Sequence, residues 1–193
     1  MTAPPLPPVP SRQRLAEAIL EALHDPAARR ILTGLAQDET AVRDWLGLDD
    51  ADHRDAVRAR ARRASATVTA APLGAPAGSL TQALEDAALL FDAGLFYEAH
   101  ELLEPHWRGA AGHTRQALQG LIQIAVGYQH RVNGNARGAR SLLVDGVSRV
   151  QGRWLIGVSL DDFAHEVAEA IGPAGGGAAG HRAVPRFPRV PGR

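Results

Sequence analysis

The sequence predicts an all-α protein, and three observations carry the prediction. Apolar residues recur at three- and four-residue spacing in successive stretches, Gly, Asn-Gly and Asp-Pro punctuation separates those stretches, and no alternating strand pattern survives between them. The organisation that follows is a small antiparallel helical bundle with an N-terminal helical extension and disordered termini.

Met1 to Pro10 holds five prolines and reads as a disordered tail. From Ser11 to Ala66 the chain reads as the extension: Leu15, Ile19 and Leu23 share a helical face, Asp25-Pro26 supplies an N-cap and a first-turn proline, and Gly47 closes a third element. Thr67 to Gly78, rich in Ala, Pro, Gly and Thr, reads as a linker. The bundle occupies residues 79–171. Ser79 and Gln82 form a capping box for a helix to about Ala93, Gly94 stops it, and a second helix begins near Leu95. A third runs from about Thr114 to Arg131 and reverses at Asn133-Gly134-Asn135 into a fourth, about Ala136 to Gln151. Phe163, Val167 and Ile171 mark a last amphipathic helix that starts near Ser159 and ends at Gly172. Residues 172–193 carry three consecutive glycines, prolines and four Arg without an acid, and read as a second disordered tail.

Composition narrows the function classes. Twenty-one acids balance 21 basic residues, all of them Arg, so the whole molecule projects no field that would draw nucleic acid or a membrane surface. The 58–63 run of Arg58, Arg60, Arg62 and Arg63 follows Asp49, Asp50, Asp52 and Asp55, and reads as a solvated helix face. Cys is absent, which removes disulfides, thiolate nucleophiles and sulfur ligands; a metal site here must use His nitrogen and carboxylate oxygen. No run approaches the roughly 20 apolar residues of a spanning helix, and the N-terminus has no apolar leader core. The expected location is the cytoplasm and the expected partner a small-molecule ligand or substrate, with a homo-oligomer compatible with the composition.

The chemistry concentrates in Phe96 to Trp107. An advance of about 100° per residue puts His100, Glu104 and Trp107 on one helix face with Glu101 beside them and Glu98 one turn earlier. Carboxylates so close repel unless a cation, an arginine or a shared proton neutralises them, and each of those would make the stripe chemically useful. Pro105 deprives the Glu101 carbonyl of its donor and predicts a kink or an end beside the acids. In the next helix Gln116, Gln119, Gly120, Gln123, Gly127 and His130 form one narrow polar sector on an otherwise apolar cylinder. The expectation is that this sector faces the acidic stripe, with the two glycines letting a backbone or small ligand come close.

These motifs carry a family resemblance. Phe91 to Glu104, Trp107, the run Gln119 to Ala125, His130, Gly134-Asn135 and Gly138-Ala139 resemble domain-of-unknown-function family 309, over roughly residues 83–171. The resemblance implies a small all-helical domain and a metal-dependent hydrolase. Its matching polar positions are Glu98, His100, Glu101, Glu104, Gln119, Gln123, His130 and Asn135. Beside it, the residues themselves suggest one divalent ion held by His100, Glu104 and His130. Glu101 and Glu98 would move protons, while Gln119, Gln123, Trp107 and Asn135 support or bind.

Two other readings stay open beside hydrolysis. Gly94 to Ala99 is similar to the turn of tetratricopeptide-type repeats, which would make the domain a binding scaffold, though no 34-residue period recurs. Ala22 to Leu32 is faintly similar to the opening helices of winged-helix repressors, which would make the bundle a sensor, though ten Arg face ten acids from Met1 to Ala75.

Overall fold

The computed structural model describes residues 7, 9–47, 53–73, 78–172 and 183–190. Among them the helices are α1 (Ser11–Glu21), α2 (Pro26–Gln37), α3 (Glu39–Leu46), α4 (Arg54–Ala70), α5 (Leu80–Asp92), α6 (Phe96–Gly109), α7 (Gly112–Val132), α8 (Ala136–Val150) and α9 (Asp161–Ile171). The fold is all-α. The segments expected to be disordered at 1–6, 8, 173–182 and 191–193 lie outside the described residues.

Local chemistry sets the element ends. Asp25 accepts from the Ala27 N–H and Asp38 from the Thr40 N–H, each supplying an acceptor to an orphan donor at a helix start. Ser79 caps α5 as expected, accepting from the Gln82 N–H, and the Gln82 side-chain amide donates to Asp86 at 3.0 Å. Gly94 and Gly134, both at φ +76°, end α5 and α7 in the same way. In each, the glycine N–H bonds the carbonyl three residues back and the next N–H reaches the carbonyl five back, the paired bonds of a Schellman motif. These two turns make α5/α6 and α7/α8 neighbours.

Three boundaries differ from the sequence reading. α4 continues to Ala70, four residues into the expected linker, because Val68 is buried and the Thr67 and Thr69 hydroxyls bond back to the turn before them. A two-stranded hairpin, β1 (Trp154–Leu155) and β2 (Val158–Ser159), joins α8 to α9 across Ile156 and Gly157, both at positive φ. Strands of two residues are too short to leave an alternating pattern. Residues 183–190 are not a free tail but lie on the bundle, with Pro185, Phe187 and Pro188 buried. Polarity and glycine content hid that contact, because three apolar side chains and a matching acid are enough to hold so short a segment.

One continuous core holds extension and bundle together. Leu15, Ile19, Leu32, Val57 and Val68 of α1 to α4 are buried in the same cluster as Leu84, Phe91, Leu103, Leu121 and Tyr128 of α5 to α7. Within it, Phe91 meets Phe96, Tyr128, Phe163 and Phe187 at centroid distances of 4.9–6.0 Å. No helix among the described residues is long and apolar enough to cross a membrane.

Candidate metal centre

α6 presents a polar stripe to one side and an apolar one to the core. Ala99, Leu102 and Leu103 are buried, while Tyr97, His100, Glu101 and Glu104 are partly exposed on the adjoining arc. The helix runs through Pro105 to Gly109 instead of ending beside the acids. Pro105 itself is exposed, so its ring is accommodated at the surface of the helix and not in the core.

The arc gathers three donors. One ligand atom each from His100, Glu101 and Glu104 lie within 4.8 Å of one another. His100 Nδ1 stands 3.6 Å from Glu101 Oε1, and His100 Nε2 stands 4.0 Å from Glu104 Oε2. Both distances are too long for hydrogen bonds. His100 Nδ1 is in fact buried without a hydrogen-bond partner, an orphan of the kind that asks for a proton or a metal. Two neighbours stand by the acids: Arg108 pairs with Glu104 Oε1 at 3.0 Å, and the Tyr97 phenol lies close enough to Glu101 to feel its charge. Burial, then that carboxylate, push the Tyr97 phenol up to about 12, so it stays a donor at neutral pH. An ion bound by one imidazole and two carboxylates suits a divalent transition metal, and the donor set fits the residues present.

Glu98 stands elsewhere than expected. Its side chain and that of Arg60 are each 1% exposed, and both carboxylate oxygens accept from the guanidinium, at 2.6 and 2.5 Å. The acidic stripe is thus divided: Arg60 of α4 neutralises Glu98, and the other two acids remain with His100. Of the arginine run read as a solvated face, only Arg60 is buried; Arg62 is exposed and Arg58 and Arg63 are partly exposed. Arg58 reaches the Gln37 carbonyl, Arg62 the Ala36 carbonyl and Arg63 the Ala93 carbonyl. The signal for Arg60 was legible in retrospect, because it falls on the helical face of Val57, Ala61, Ala64 and Val68, all buried. Arg12 of α1 was likewise missed; its guanidinium lies 4.9 Å over the Tyr97 ring.

The α7 sector does not close the site. Its glycines face α8: a Cβ on Gly120 would meet Val150 Cγ1 at 2.6 Å and the Gly146 carbonyl at 2.9 Å, and one on Gly127 would meet Leu143 at 2.8 Å. Gln116 accepts from Arg149 of the same helix at 2.7 Å. The expectation that this sector looks across at α6 is therefore corrected for Gln116, Gly120 and Gly127, whose neighbours lie on α8, where the small residues serve close helix packing. His130 Nδ1 bonds the Asn135 amide at 2.8 Å, and Asn135 Oδ1 caps α8 by accepting from Gly138 N–H. The stacked Phe96 and Tyr128 rings set the register of the antiparallel helices. His100 is four residues beyond that level in one direction and His130 two beyond it in the other, roughly 9 Å apart along the axes. His130 is outside the donor group as a result. Gln119 is partly buried, Gln123 Oε1 is buried without a hydrogen-bond partner, and Trp107 is covered by Arg115, 4.2 Å from its ring.

Residues 84–142 match the model of the family described as domain of unknown function (DUF309). The match takes in most of α5, all of α6 and α7, and the first half of α8, so it contains every polar position through which the resemblance was read. Arg12, Arg60 and the C-terminal segment lie outside it. No curated protein and no solved structure matches the chain.

Proposed function

We propose that the segment matching this family is a metal-dependent hydrolase whose ion is held on α6 by His100, Glu101 and Glu104. The observation that carries the reading is the meeting of three donor atoms within 4.8 Å around a buried, unpartnered imidazole nitrogen. A divalent ion in such a place supplies Lewis acidity and makes water a nucleophile near neutral pH. The chain's own residues do the rest. The Tyr97 phenol stands beside Glu101, where outer partners of metal ligands stand. The Glu101 oxygen not turned to an ion would accept a proton from water, and the partial exposure of the arc admits a small substrate from solvent. Arg108, exposed and one turn beyond Glu104, meets an anionic substrate group. Glu98 does not enter the reaction, because Arg60 occupies both of its oxygens; it anchors α6 to α4.

The test is a panel of chromogenic carboxylic and phosphate esters, offered to the full chain with Mn2+ or Zn2+ and again after chelation. The reading expects one ester class to be hydrolysed, activity lost on chelation, and His100→Ala and Glu101→Gln inactive with unchanged helical circular dichroism. Turnover that survives chelation or the His100 substitution refutes it, as does inactivity toward the whole panel.

A further inference from the structure

The C-terminal segment docks in a manner that a second molecule can reproduce. Ala183 to Val190 reads Ala-Val-Pro-Arg-Phe-Pro-Arg-Val, and its two prolines favour an extended left-handed conformation before any contact is made. Phe187 enters an aromatic wall built by Phe91 of α5 and Phe163 of α9, at 4.9 and 5.4 Å between centroids, and is 2% exposed. Asp92, the last residue of α5, is 7% exposed on its side chain and accepts three times: from Phe187 N–H at 2.9 Å, Arg189 at 2.8 Å and Arg186 at 3.3 Å. About two turns earlier, Glu85 accepts from Val190 N–H at 2.6 Å and stands 3.7 Å from Arg189. Two acids and an aromatic slot thus read two arginines, one phenylalanine and two backbone N–H groups. This is the chemistry by which aromatic-lined grooves recognise proline-containing peptides.

We infer that this groove is a recognition site for an Arg-Phe-Pro-Arg-Val peptide and that its occupant in trans is the same segment of a second copy of this chain. Two facts on the sequence and structure favour the exchange. Groove and segment are oppositely charged. The ten residues between Gly172 and Ala183, with Gly175-Gly176-Gly177 among them, have a contour of up to roughly 33–36 Å, long enough to carry the segment to a neighbour. The inference does not depend on the metal site.

Complementation of full chains tests it. Asp92→Ala spoils the groove, and Phe187→Ala with Arg189→Ala spoils the segment; neither chain docks on itself, whereas a mixture has one intact groove and one intact segment. Light scattering after size exclusion is expected to show each variant alone as a monomer and the mixture as a 1:1 heterodimer that raised salt weakens. If the Asp92 variant loses helicity, the segment-defective chain is titrated instead with a fluorescent peptide of residues 183–190. Saturable binding, weakened at least tenfold by Phe187→Ala in the peptide, supports the inference. A folded mixture that stays monomeric, or a peptide that does not bind, overturns it.

Discussion

Replacing Arg60 by Met probes the joint between the extension and α6. The substitution keeps the length and packing of the side chain but removes the cation that both Glu98 oxygens contact at 2.6 and 2.5 Å, in a place where each side chain is 1% exposed. A carboxylate left there loses its paired guanidinium in a place that water barely reaches. Breaking a buried pair from one side costs about 3–5 kcal/mol, whereas replacing both partners by apolar residues of similar volume is often near neutral. The expectation is a loss of about 3–5 kcal/mol for Arg60→Met and recovery of most of it in Arg60→Met/Glu98→Leu. Urea denaturation followed by circular dichroism reads this directly: with a slope of roughly 2 kcal/mol/M, the single variant's midpoint falls by about 1.5–2.5 M. A single variant that loses under about 1 kcal/mol, or a double variant no better than the single, refutes the argument that Glu98 is a neutralised structural anchor.

Four further outcomes follow from the same structure. Gly120→Ala is expected to destabilise by about 1–3 kcal/mol, because its Cβ meets Val150 at 2.6 Å and a backbone carbonyl at 2.9 Å. Gly34→Ala in α2, with nothing within 4 Å, is expected to gain up to about 1 kcal/mol, and thermal melts should separate the two. Burial holds the Asp86 carboxyl above its ordinary value of 3.8, against the weaker opposing pull of Gln82 and His24. An acid raised on folding contributes stability that is fully present below its ordinary value and lost as pH rises through the raised one. Asp86→Asn should therefore flatten the fall of the urea midpoint above pH 3.8, and an unchanged slope would count against the assignment. Tyr97, pushed up to about 12 by burial and by Glu101, should ionise lower in Glu101→Gln when followed by ultraviolet absorbance.

The helices were legible because their signals are local. Caps at Asp25 and Ser79, stops at Gly94 and Gly134, and apolar spacing within each stretch are read without knowing what packs where. Helix pairing was not. Gly120 and Gly127 promised close approach by a backbone or a small ligand, since a glycine's missing side chain does not say which neighbour fills the space; the α8 backbone at Gly146 and Leu143 answered the question only in three dimensions. The site was half legible for the same reason. His100, Glu101 and Glu104 meet because one helix turn dictates it, whereas the partner of Glu98 came from a residue 38 positions away and His130 was drawn to Asn135 at the nearby turn. Phe187 was hidden by its surroundings of Pro, Gly and Arg, although its burial needs only one aromatic slot.

Calorimetric titration of Mn2+ or Zn2+ into full-length protein purified without a histidine tag, after dialysis against a chelator, addresses the α6 cluster most directly. The account predicts a single ion per chain, absent from His100→Ala and at least tenfold weaker in Glu104→Gln, while His130→Ala binds as the parent does. An isotherm with no saturable site, or one that the His100 substitution leaves intact, contradicts it.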